Sequence, residues 1–194
     1  MATQEHFFLR PAVSVHIVHL FLTLFLLASP LLVHEMGHWA VLRAHGCSIQ
    51  AWHIGLGPDV LRWGRFHVGM LPLGMAVAPN ATAYAALPPA ARFTAAAAGP
   101  ALSLAYAALL LDLATGVVGP EAHGLGMLAA LSLGIGLFNL VPLPPLDGFL
   151  MVQAHYEMKG DPLSPRFIAL SSRMGNGLLY GFGFLLAGAY LFHG

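Results

Sequence analysis

The sequence predicts an α-helical membrane protein: about four transmembrane helices, a short half-embedded helix, and a small β-strand or hairpin region at the membrane surface. Three observations predict it. Hydrophobic residues fill 58% of the 194 positions and charged residues only 8%, against about a quarter charged in a soluble domain. With a mean hydropathy of +0.75, there are too few ionic groups to clothe a surface in water, so the bilayer is the expected solvent. Four apolar segments approach or exceed the roughly 20 residues that cross a hydrocarbon core. Between the first two lies a stretch, residues 48–79, that is too polar to span and is broken by Gly and Pro.

The length suits a single domain, residues 1–194, and no internal repeat is visible. A formal net charge of zero supplies no basic field for nucleic acid. The lone cysteine, Cys47, excludes an intrachain disulfide and a paired-cysteine metal site, and reads as a small apolar filler.

The first segment covers residues 12–44. Pro11 suits the first turn of a helix, and the helical pattern continues through "LLVHEMGHWAVL" (residues 31–42) to Ala44, with Gly46 as its stop. Pro30 is expected to kink it. No A-x-A site follows the apolar run, so this region is expected to remain in the mature chain. "SIQAWHIGLGPDVLRWGRFHVGMLPLGMAVAP", residues 48–79, has short β-prone runs and reads as strands or hairpins; because open sheet edges cannot face lipid, it belongs at the membrane surface.

The second span is expected over residues 90–113 and the third over 124–141, ending in "VPLPPLDG". Residues 147–158 are apolar only at their start and fit a half-embedded helix. The last span is expected over residues 173–192, where "GLLYGFGFLLAGAY" carries small residues at helix-packing spacing.

Lys and Arg orient the chain. Of the eight, Arg43, Arg62, Arg65 and Arg92 fall between spans one and two, and Lys159, Arg166 and Arg173 between three and four; only Arg10 falls on the other side. Seven against one is a strong positive-inside bias. It puts the amino terminus outside and brings "HEMGH" and "LDG" to one cytoplasmic face.

"HEMGH" carries the chemistry. Residues four apart on a helix share a face, so His34 and His38 can each aim an imidazole at one metal while Glu35 faces its bound water. Gly37 lets another backbone approach. A catalytic zinc takes three protein ligands and leaves a fourth position for water. Among the eight acids, Asp147 alone falls at membrane depth, on the right side, in backbone that prolines free from helical pairing. It is the candidate third ligand; its alternative role is to cap the helix that follows.

With these residues in view the chain resembles the site-2 protease family of intramembrane zinc metalloproteases. The match rests on "HEMGH" (residues 34–38), "AAGPALS" (97–103) and "NLVPLPPLDG" (139–148), with weaker similarity in "GLGPDVLRW" and "LPLGMAVAP". The resemblance implies that His34, His38 and Asp147 bind one zinc, that Glu35 is the general base, and that Asn139 acts near the substrate. It implies a multi-pass protein of a bacterial cytoplasmic membrane that cleaves transmembrane segments of other membrane proteins in regulated intramembrane proteolysis. Two positions depart from the family pattern: Ser103 stands where Asn is frequent, and Gly74–Met75 where a glycine pair is frequent. Both bear on substrate handling. The residues present leave no room for the PDZ or CBS domains of many members, so a compact form is expected.

Three rival readings stay open: a catalytically silent relative that binds membrane proteins, a small metal transporter, and another HExxH membrane protease with a glutamate as third ligand. The transporter would need polar residues throughout several spans, and the second and fourth segments have almost none. Of the other histidines, His16 and His19 read as interior contacts or outer-edge residues, and His45, His53, His67 and His155 as surface or packing groups rather than ligands. Of these, His53 and His67 are the better placed to touch substrate.

Overall fold

The computed structural model describes residues 11–193. Its elements are α1 (Pro11–Ala44), β1 (Ile49–Trp63), β2 (Phe66–Pro79), α2 (Ala81–Ala85), α3 (Pro89–Thr115), α4 (Pro120–Asn139), α5 (Asp147–Met158) and α6 (Pro165–His193). Among the described residues, three helical stretches are long and apolar enough to cross a membrane: Phe25–Ala44, Pro89–Thr115 and Pro120–Asn139. The fourth expected span falls within α6, where most side chains of residues 179–194 lie outside the described residues. Arg10, Glu5 and the side chains of His16 and His19 lie outside them too.

The helix α1 is unbroken through Pro30 and ends as its sequence anticipates. Gly46 takes φ +73°, a left-handed conformation open to glycine. Its N–H donates to the Arg43 carbonyl and that of Cys47 to the Leu42 carbonyl, the paired bonds of a Schellman ending. The apolar contact that accompanies such an ending is present: Cys47, 1% exposed, packs with Leu42, Ile49 and Ala95. Cys47 is thus a core filler.

The strand region folds as one antiparallel ribbon of two long strands. Its register shifts repeatedly, and Trp52, His53 and Ile54 each have two partners on β2: Val77, Ala76 and Met75 as well as Phe66, His67 and Val68. The ribbon is therefore curled rather than flat. A short helix that sequence reading missed, α2, follows it; the Asn80 side chain caps it by accepting the Ala83 N–H at 3.0 Å.

The central helix is α3, which packs on α1, α4 and α5. Its buried residues are mostly small: Ala91, Ala95, Ala96, Gly99, Pro100, Ser103 and Ala107. In lipid, where apolar surface alone drives no association between helices, such residues let backbones approach and gain van der Waals contact. The approach is tight. A methyl group on Gly37 of α1 would collide with the Ala98 carbonyl, and one on Gly99 of α3 would collide with the His38 imidazole. Gly136 of α4 leaves the same kind of space beside Ser103 and Pro100.

Beyond α4 the chain turns through "VPLPPL" into α5. Gly148 is required there, because a Cβ would overlap the Leu140 and Val141 carbonyls. Arg92 of α3 and Glu157 of α5 form an ion pair with little exposure, and Gln153 donates to the other Glu157 oxygen at 3.3 Å. Glu157 is on the last turn of α5. Gly175 of α6 lies directly against the Pro144 carbonyl, so at least one small residue of that helix serves packing within the chain.

Candidate metal centre

Two elements bring the nominated residues together. His34, Glu35 and His38 stand on α1, and Asp147 opens α5. His34 Nε2 lies 3.1 Å from Asp147 Oδ2, His38 Nε2 lies 3.2 Å from the same oxygen, and the two Nε2 atoms are 3.2 Å apart. The Asp147 side chain does not cap its helix: Leu146 is the capping residue, with no side-chain bond.

This triangle fits a metal. Tetrahedral zinc with bonds of about 2.0–2.1 Å holds its ligand atoms roughly 3.3 Å apart. The proton bookkeeping agrees. His38 Nδ1 lies 2.7 Å from the Ala95 carbonyl, which can only accept, so that nitrogen carries the hydrogen. In the neutral ring, Nε2 is then a bare lone pair aimed at a carboxylate oxygen and another imidazole nitrogen. Lone pairs converging in this way call for a cation between them. His34 is oriented similarly, with Nδ1 2.9 Å from the Ser103 hydroxyl. Ser103 has no exposed surface and is held in turn by Ser132, whose hydroxyl donates to the Ser103 carbonyl at 2.9 Å.

Glu35 is 8% exposed. Its carboxylate lies within 4.8 Å of ligand atoms on both histidines. One of its oxygens accepts the Val77 N–H at 2.8 Å. That bond shows which way β2 faces: an amide of the ribbon points to the centre. A cavity of about 530 Å³ opens there, lined by His34, Glu35, His38, Asp147 and Asn139, by Gly74 to Val77 of β2, and by Tyr84 of α2. Asn139 borders the cavity while its own amide donates to the Ile135 carbonyl at 2.9 Å.

Two expectations change. His53 and His67 do not line this cavity; they face each other within the ribbon. Ser103, read as a departure affecting substrate, instead touches a nominated ligand. The backbone partners, Val77 N–H and the Ala95 carbonyl, carry no residue-type signal. Ser103 carries one, as a hydroxyl inside an apolar helix.

Comparisons with known proteins place the chain in a family. The model of "Peptidase family M50" matches residues 22–121 and 120–182. A Mycobacterium tuberculosis protein named "Putative zinc metalloprotease Rip3" is 34% identical over 135 residues, covering 67% of this chain and 30% of that protein. A Brucella suis protein, also named as a "Putative zinc metalloprotease", is 48% identical over 62 residues, covering 31% of this chain and 16% of its own length. The chain thus spans under a third of the curated relatives it matches. The structure of the site-2 protease from Methanocaldococcus jannaschii superposes with a TM-score of 0.56 at 22% identity, over 86% of this chain and 69% of that one. With its motifs, its apolar helices and its fold in agreement, the chain is a multi-pass membrane protein of the zinc metalloprotease family M50, the site-2 protease family.

Proposed function

We propose that this chain is a zinc-dependent intramembrane endopeptidase that cuts transmembrane segments of other membrane proteins, as in regulated intramembrane proteolysis. The observation that carries the reading is the triangle of His34, His38 and Asp147 with Glu35 beside it, at the wall of a cavity on apolar helices. His34, His38 and Asp147 would hold one zinc. Bound there, zinc would supply a water acidified towards neutral pH and a Lewis acid for the scissile carbonyl.

The chain's own groups do the rest. Glu35 accepts the water proton and returns it to the leaving amine. The Val77 N–H holds one Glu35 oxygen, leaving the other to face the water. Ser103 and the Ala95 carbonyl hold the two rings in place. A transmembrane helix hides its peptide bonds, so the substrate unwinds; its extended piece pairs with Gly74–Val77, where β2 faces the cavity. Asn139, at the rim, hydrogen-bonds the substrate backbone or the developing oxyanion. The positive-inside bias supports a site towards the cytoplasm, with α6 as a fourth span; the bacterial relatives support a cytoplasmic membrane.

The test is cleavage of single-span substrates in reconstituted membranes, paired with metal analysis. Glu35→Gln is expected to lose cleavage and keep the zinc of this centre, and Asp147→Asn to lose cleavage and that one zinc. Normal turnover by Glu35→Gln would overturn the assignment, and a wild type that binds zinc yet cuts no offered substrate would favour a silent relative.

A further inference from the structure

The curled ribbon contains a second grouping that the reading above does not use. His53 on β1, Asp59 further along β1 and His67 on β2 each offer a ligand atom, and these atoms all lie within 4.8 Å of one another. His67 Nδ1 is 3.1 Å from Asp59 Oδ2. The His53 and His67 rings meet edge to face, with centroids 4.9 Å apart and planes at 72°. In the membrane centre, His34 and His38 meet at 4.9 Å and 77°, with an aspartate oxygen 3.1 Å from one ring nitrogen. Two histidines and an aspartate thus come together again on an unrelated backbone, with a similar ring pairing and one His–Asp contact of the same length.

We propose that His53, Asp59 and His67 form a second divalent-cation site of the zinc class, which fastens the ribbon in its curl. Two imidazoles and a carboxylate are a ligand set that zinc accepts, and the 3.1 Å separation is close to that imposed by its bond lengths. The ligands are accessible without being loose: the Asp59 and His67 side chains are 16% and 23% exposed. A fourth position is left for water.

The register explains what the site would do. His53 is paired with His67 on one side and Ala76 on the other, and Asp59 is brought to them only because β1 doubles back along β2, opposite Gly69. One cation would tie three points of the ribbon together. Its neighbour pair, Trp52 and Val77, includes the amide that holds Glu35. The fastening therefore lies next to the edge that borders the cavity.

Arg62 is the built-in competitor. Its Nε donates to Asp59 Oδ2 at 2.8 Å, from a side chain 70% exposed. His67 Nδ1 meets that same oxygen, so a cation seated there would shift Arg62 to the other carboxylate oxygen or displace it, at a cost in like-charge repulsion. That distinguishes a metal site from a plain ion-pair cluster, in which Arg62 only helps.

The deciding experiment is zinc titration of the full chain in detergent, with bound metal counted by mass spectrometry after buffering free zinc in the micromolar range. His53→Asn/His67→Asn is expected to bind one equivalent fewer than wild type, and Arg62→Gln to bind that equivalent several-fold more tightly. Asp147→Asn should retain the ribbon equivalent, so the result does not depend on the centre in the membrane. Should the double variant not fold, Asp59→Asn, of the same shape, gives the same count. Equal metal in wild type and in the folded ribbon variants would overturn the proposal and leave Asp59 and His67 as an ion pair.

Discussion

Ser103 of α3 lies 2.9 Å from Nδ1 of His34, a group on another helix 69 residues away in the chain, and it is completely buried. The hydroxyl determines where the imidazole points. Removing it as Ser103→Ala leaves a buried ring nitrogen unpartnered and the ring free to turn. Loss of such an outer partner typically weakens metal affinity or activity about 10–100-fold. Zinc affinity measured by competition with a chelator, together with turnover, checks this; an unchanged affinity would mean that helix packing alone orients His34.

Gly99 is predicted to be intolerant of any side chain. A methyl there meets the His38 ring, which is itself tied to the Ala95 carbonyl. Gly99→Ala should therefore cost about 1–3 kcal/mol by overpacking and displace a nominated ligand as well. Metal content and melting temperature, read on one preparation, should both fall. Gly124→Ala, at a helical glycine with open space around it, serves as the control and should lower neither.

The Arg92–Glu157 pair joins α3 to α5, the helix that presents Asp147. Removing one partner strands a charge of low exposure. The full cost for a buried pair is about 3–5 kcal/mol; with side chains 20% and 17% exposed, water screens part of it, and about 1–3 kcal/mol is expected. Arg92→Met/Glu157→Leu should lose less than either single change. Denaturation of the four proteins in the same detergent closes the double-mutant cycle, and additive losses would show that the two side chains do not interact.

Cys47 reports on folding. Burial pushes its thiol above its ordinary pKa, and it is 1% exposed within the ending of α1. The thiolate is the reactive form. Because the folded value is the raised one, alkylation should be slow in the folded protein near pH 8 and accelerate in denaturing detergent. A variant that labels quickly without denaturant has opened the junction between α1 and the ribbon. This readout separates misfolding from specific loss of metal in the changes above.

Much was legible before any coordinates because the determinants are local or compositional. A bilayer needs long apolar stretches, so α1, α3 and α4 stood out. The spacing of His34 and His38 is a property of one helix. Gly46 announced the end of α1, and the broken backbone around Pro142, Pro144 and Pro145 pointed to Asp147. Less was legible where pairing is non-local. The ribbon was anticipated as strands, but nothing in its alternation reveals that residues 52–54 have partners on both sides. His53 and His67 were consequently expected at the substrate, whereas they face Asp59. The short helix α2 carried only the weak signal of Asn80.

The sequence by itself determined the solvent, the helices and the identity of the groups at the centre, because hydropathy and helical spacing act within a segment. Only the tertiary structure decided how those groups are held. Three atoms within 3.2 Å of one another require α1 and the start of α5 to be positioned together, and glycines permit that fit where any Cβ would intrude: Gly37 and Gly148 let backbones touch, and Gly99 leaves room for the His38 ring. Orientation came from two backbone groups whose sequence positions predict nothing, the Ala95 carbonyl and the Val77 amide, and from the Ser103 hydroxyl, whose partner the sequence does not name. Hydrogen bonds reach about 3 Å, so which group fills that distance depends on how whole helices pack.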